Sequence, residues 1–325
     1  MNIDLRQIFS KAAFIRSLNL LSPISSVAVD NIYKNVQNIA NPVIPLADLF
    51  TQIKTVGLST RGGKYIDLSG STELGAKWVE PFPIKLKESL NGVELNNLKM
   101  LSETSIEAWR QQKINKVRQT NRATTEYQAV KALSGKIEMP VITDDGSSAT
   151  YTVDYGTPAT LTPAKAFNAV DASVETVEKF LLDMAAKVIE SGYSEVEFWA
   201  GKDVWFAIYA LIQAVPNDTR ISAKVEGQTI ITAAGKVKLR NELVYNPTSK
   251  AFEPTVAANK IMCIAMNAPH TLAYAAIDDL DGNLEAVPLF MKPIKDPEGG
   301  WKILTESKPL PAPVIRAICW ATAIS

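Results

Sequence analysis

A single histidine, His270, has to serve all 325 residues. Metal motifs built on two histidines are therefore excluded, and a Ser-His-Asp triad would have to use His270. That residue sits in Asn267-Ala268-Pro269-His270, a context that predicts a surface turn. Cysteine is nearly as scarce. Cys263 and Cys319 lie far apart, each in an apolar run, with no zinc spacing and no disulfide framework. Two buried thiols and a reducing cytoplasm are the expectation. Neither sign of charge is in excess, with Lys plus Arg at 34 and Asp plus Glu at 34, which argues against a dedicated nucleic-acid binder. No apolar run reaches the length of a membrane span, and Met1 to Arg6 opens no signal-peptide hydrophobic region.

Two motifs that could carry chemistry fail on spacing. Gly62-Gly63-Lys64 is followed by Tyr65, and Gly57 lies one position too far back for a phosphate loop. Counting from Asp279, the sixth residue of a calcium loop would be Leu284 where glycine is required, so residues 278–283 predict a turn. No catalytic, cofactor or metal site is expected, and the chain does not look like an enzyme. Apolar residues make up 46%, enough to fill a core, and the length suits about two domains.

The most informative gap lies in the middle. There is no proline between Pro83 and Pro140, and no glycine between Gly92 and Gly135. Thr104 and Glu107 fit a capping box, and Gly135 stands where a helix stop takes a left-handed residue. The interval predicts one helix from Thr104 to Ser134, roughly 45 Å long at the α-helical rise. Ile106, Trp109, Val117, Tyr127, Val130 and Leu133 can share a face. From Arg110 to Arg122 the charged residues are Arg110, Lys113, Lys116, Arg118 and Arg122, with no acid. Burying such a helix in a compact core would be costly. It is either a solvated outer helix or a strut across a flat subunit, touching neighbours or a polyanion.

Residues 1–45 read as a short amphipathic helix followed by a proline-marked extended arm, with little to bury against itself. Residues 50–95 read as a long hairpin or loop, with strand-like runs at Thr51–Thr60 and Trp78–Leu86. Its Arg61-Gly62-Gly63 segment is polar and pliable, and Trp78, Val79, Phe82 and Ile84 form an apolar edge. After the helix come a hairpin (136–143 and 149–155), a helix at 171–191 and a strand at 195–200. A helix capped by Asp203 follows, then strands at 229–232, 237–245, 260–266, 301–307 and 314–324. The pattern is that of an α+β fold.

This order resembles the Hong Kong 97-type fold of tailed-phage major capsid proteins, and within it the lambda-like major capsid protein family. Arg61-Gly62-Gly63 with Val79-Glu80-Pro81 carries part of the likeness. The run from Gln128 to Met139, followed by Val153-Asp154-Tyr155-Gly156, carries more, because it fixes helix end, turn and strand together. The resemblance implies an N-terminal arm at 1–49, an extended loop at 50–95 and a peripheral domain with spine helix and hairpin at 96–160. It also implies an axial domain at 161–295 and return strands of the peripheral domain at 296–325.

Functionally, the resemblance implies a major head protein that self-assembles into hexamers and pentamers of an icosahedral shell around double-stranded DNA. The alternatives are a nanocompartment shell or another virion structural protein. The implied partners are the chain itself, a separate scaffolding protein, a portal protein, a decoration protein on the outer surface and non-specifically held DNA, with no membrane. The implied setting is the virion, assembled in the host cytoplasm. Subunit contacts are expected at Arg61, Gly62, Gly63, Trp78, Phe82, Trp109, Arg110, Arg118 and Arg122.

Overall fold

The computed structural model describes residues 24–46, 78–90, 92–98, 103–143, 147–214, 223–297 and 300–324. The chain divides into two compact units: residues 1–26, 35–125 and 271–312 form the first, and residues 27–34, 126–270 and 313–325 the second.

In the first unit, strands Phe290–Lys295, Trp301–Ser307 and Ile84–Leu90 form an antiparallel sheet. The long helix, Glu103–Ala132, supplies Ile106, Ile114 and Val117 to a core shared with Leu90, Met291 and Ile303. Ile114, buried between Trp109 and Val117, fills the gap in the apolar stripe that the sequence left between those two residues. A second sheet orders Asn35–Ile39, Thr271–Ala275 and Pro309–Ala312. Asn35–Ile39 runs parallel to Thr271–Ala275, so this stretch of the expected arm is already paired with its own chain. Thr51–Thr60 lies outside the described residues; the strand-like run expected at 78–86 is found as two strands, Trp78–Val79 and Ile84–Leu90, the second running four residues further than expected. A short helix, Gly92–Leu98, follows it where none was expected.

Proline explains two missed strands. Phe290–Lys295 holds Pro293, and Pro309–Ala312 holds Pro309 and Pro311; both strands lie at sheet edges. At an edge, a residue without an N–H can turn that side away from the ladder.

The second unit is built on a mixed seven-stranded sheet. Its order is Ala159–Leu161, Ile318–Thr322, Lys260–Ala265, Val196–Ala200, Gly235–Leu239, Thr229–Thr232 and Lys224–Glu226. The apolar closing strand is paired on both sides, as its composition suggests, although residues 315–317 form a 3-10 turn ahead of it. Helices Val174–Ile189 and Lys202–Gln213 pack on this sheet. The first buries Val174, Val177, Phe180, Leu181, Met184 and Val188, the predicted stripe, and opens with a Ser173–Thr176 capping box.

Asp203 does not cap the second helix; Gly201 occupies that position. The N–H groups of Asp203 and Val204 donate to the Ala258 carbonyl at 3.1 and 3.2 Å. A Cβ on Gly201 would fall 2.0 Å from the Ala257 oxygen, so the chain's close approach replaces a capping side chain. The predicted strand 237–245 is two strands in two sheets, Gly235–Leu239 and Leu243–Asn246.

The long helix begins at Glu103, just before Thr104, whose side chain lies outside the described residues. It ends at Ala132, and Gly135 (φ +93°) turns the chain into the hairpin Lys136–Ile142 and Ser148–Asp154. Within the second unit, Glu126 of this helix accepts hydrogen bonds from the N–H groups of Ala28 (2.6 Å) and Val29 (3.0 Å). The carboxylate thus serves the first turn of helix Val27–Asn31, and Tyr33 Oη donates to the Ala129 carbonyl at 3.0 Å.

Candidate assembly surfaces

The basic stretch of the long helix meets its acids on other elements of the first unit. Lys113 Nζ lies 3.1 Å from Glu88 Oε1 and 3.2 Å from Glu94 Oε1; Lys116 Nζ lies 2.8 Å from Glu88 Oε2. Burial pushes the Glu88 carboxyl up, but hydrogen bonds from Lys116 and Lys113 outweigh it and hold the group below the ordinary carboxylate range. Burial likewise pulls Lys113 down, and its two carboxylates more than reverse that. Glu94 comes from the unexpected helix Gly92–Leu98, so the sequence alone could not show where the helix finds its counter-charge.

The expected contact residues separate by environment. Arg110 is buried and ion-paired with Glu107, one turn earlier. Trp109 packs against the core cluster, with Lys113 Nζ 5.6 Å from its ring centre. Burial pulls the Arg118 guanidinium down from its ordinary value. Arg122 Nε donates to Ser26 Oγ at 2.5 Å. Trp78 and Phe82 are exposed, and Trp78 stands opposite Pro45 where Trp78–Val79 pairs with Ile44–Pro45. Arg61, Gly62 and Gly63 lie outside the described residues.

The single histidine and both cysteines lie in the interior of the second unit. His270 is 1% exposed, not in a surface turn. Its Nε2 lies 3.0 Å from the Ala265 carbonyl, and its Nδ1 accepts the Val314 N–H at 3.1 Å. Pro269 gave the local signal of a turn; Ala265 is a near neighbour in the chain, but Val314 comes from elsewhere in the second unit. Cys263 and Cys319 stand opposite each other on neighbouring strands, both buried and free. Burial pushes the Cys319 thiol up to about 11 and Cys263 higher still, so neither is a thiolate nucleophile at neutral pH. Residues 280–282 form a 3-10 turn, and Lys292 pairs with both Asp279 and Asp281. Among the described residues, no group of three or more His, Cys, Asp or Glu side chains could hold a metal ion. No described helix is long and apolar enough to cross a membrane.

Concave and apolar surface is found instead. A groove of about 490 Å³ in the second unit is lined by Val130, Lys131, Thr160, Glu253, Pro254 and Trp320, among others. Beside it, the strand pair Leu243–Asn246 and Ala251–Pro254 presents large apolar side chains to solvent. The sequence signalled a strand there but not which of its faces stays uncovered.

Residues 10–323 match the family model described as phage major capsid protein E. No curated protein sequence matches the chain significantly. Among solved structures, the chain is similar to one assigned as the capsid protein of an Escherichia coli CFT073 prophage. The TM-score is 0.63 and the identity 17%, with 100% of each chain covered. A phage-related protein from Bordetella bronchiseptica RB50 gives a TM-score of 0.55 and 10% identity, covering 96% of this chain and 97% of the other. At these identities the likeness establishes the fold.

Proposed function

The chain belongs to the phage major capsid protein E family, and from that membership we propose how it builds a head. The observation that carries the reading is the family match, which spans nearly the whole chain. Copies assemble into hexamers and pentamers, and these close into an icosahedral shell around double-stranded DNA. A nanocompartment shell is not favoured, because the match is to a phage head family. The work is assembly without catalysis. A separate scaffolding protein, a portal and an outer decoration protein are the further partners, and assembly takes place in the host cytoplasm. Net charge near zero suits a wall that holds its DNA only non-specifically.

Residues 1–49 act as the arm, 50–95 as the extended loop, 96–160 and 296–325 as the peripheral domain, and 161–295 as the axial domain. The loop lies across an adjacent subunit. There Arg61 makes a charge-assisted hydrogen bond, Gly62 and Gly63 allow the bend, and Trp78 and Phe82 add apolar contact. Arg118 and Arg122 contribute from the helix, which Trp109 and Arg110 brace from the inner side.

Arg61→Ala separates this arrangement from an ordinary internal contact. Removing one partner of an interfacial charge pair leaves the other unpaired. Calorimetry should show the variant subunit melting like wild type while the variant shell melts at a lower temperature. Equal loss in subunit and shell would place Arg61 inside its own subunit. A wild-type preparation with no shell transition at all would overturn the assembly reading itself.

A further inference from the structure

Strands Leu243–Asn246 and Ala251–Pro254 form a two-stranded antiparallel ribbon in the second unit. Leu243 stands opposite Pro254, Val244 opposite Glu253, and Tyr245 opposite Phe252. Opposed residues share a face and successive residues alternate, so Leu243, Tyr245, Phe252 and Pro254 stand together on one side.

The other side is anchored. Val244 is buried. The Glu253 carboxylate accepts from Lys131 Nζ at 2.9 Å, Asn246 Nδ2 at 2.6 Å and Ser249 Oγ at 3.2 Å. The Thr255 N–H donates to the Glu242 carbonyl at 2.8 Å. The outer face is therefore presented in a fixed orientation. On it Leu243 is 62% exposed, Tyr245 46% and Phe252 67%, and the two rings meet edge to face at 5.4 Å. Apolar surface displayed this way favours being covered.

Area decides what covers it. Aromatic side chains carry about 150–250 Å² each, so the three exposed residues offer roughly 300 Å². With an equal area on a partner, the contact buries roughly 600 Å², about half of what a stable pairwise interface begins at. A single partner bound here alone would dissociate. In a shell each copy is held by many contacts at once, and small contacts add. We propose that this ribbon face is a contact between neighbouring copies of the chain in the assembled shell. The proposal rests on the shell reading and specifies one of its surfaces.

The test is protection of an introduced thiol. Phe252→Cys, with Leu243→Cys as a second variant, places a reactive group on the exposed face, while Cys263 and Cys319 stay buried. Maleimide labelling is timed on free subunits and on particles shown by gel to contain only this chain. At least tenfold slower labelling of both positions in the particles is expected. Equal labelling in subunits and particles would overturn the ribbon contact and leave the shell reading standing. Protection only in particles that carry a second protein would overturn it too, by giving the face to that protein. Failure of the wild-type chain to yield particles would remove the shell reading and the contact with it.

Discussion

Gly135→Ala is expected to cut the yield of assembly-competent subunit sharply. The long helix stops at Ala132, the Gly135 N–H donates to the Ala132 carbonyl at 2.8 Å, and the chain leaves with φ +93° at Gly135. A side chain in that conformation costs roughly 1–2 kcal/mol by itself. Here the space is also taken: a Cβ would fall 2.0 Å from the Gly156 oxygen and 2.9 Å from Pro158 Cδ. Those atoms cannot withdraw freely, because the Tyr155 N–H donates to the Gly135 carbonyl at 2.8 Å and ties the two turns together. Strain and clash together should exceed about 4 kcal/mol, a large share of a typical net stability. Gly156 is the control. Its φ of +96° is nearly the same, but a Cβ there meets nothing within 4 Å. Gly156→Ala should therefore cost only about 1–2 kcal/mol. Urea unfolding of the two purified variants measures the difference, and equal midpoints would contradict this geometry.

Acid should weaken the subunit through His270 well before ordinary carboxylates titrate. Burial holds the imidazole down to about 4, against an ordinary value near 6.5. The neutral ring satisfies both neighbours, with Nε2–H donating to the Ala265 carbonyl and Nδ1 accepting from Val314. Protonation at Nδ1 would set one N–H against another. Between pH 6.5 and 4 the unfolded chain binds the proton and the folded chain does not, so stability falls as pH falls. The contribution is complete above pH 6.5, drops by about 2 kcal/mol on going from pH 7 to 5, and by about 3 kcal/mol at pH 4. With a single histidine in the chain, no second imidazole blurs the reading. His270→Gln should lower stability at pH 7 yet flatten its dependence between pH 7 and 5. An unchanged slope in that variant would mean His270 is not the titrating group.

These two residues mark how far the sequence could be read. Gly135 was legible because its meaning is local: a glycine after thirty helix-compatible residues ends a helix. The stripe of helix Val174–Ile189 and the hairpin at residues 136–154 were legible for the same reason. His270 was not, since the Val314 N–H that its Nδ1 accepts comes from 44 residues further along the chain, and nothing near Pro269 announces it. The basic helix was half legible. Its positive charge could be counted, but Glu88 and Glu94, which neutralise Lys113 and Lys116, reach it only through folding. Likewise, Pro309 and Pro311 hid a strand whose edge position removes the usual objection to proline. Of the expected contact residues, Trp78 and Phe82 are exposed in the single subunit, Arg110 is buried and Trp109 packs against the core cluster.

Whether this chain closes into a shell can be seen by electron cryo-microscopy of the purified chain, alone and with its scaffolding protein. Closed particles whose reconstruction shows rings of five and six subunits are expected. Compact monomers that persist under assembly conditions, or open tubes and isolated rings in place of closed shells, would contradict closure into a shell.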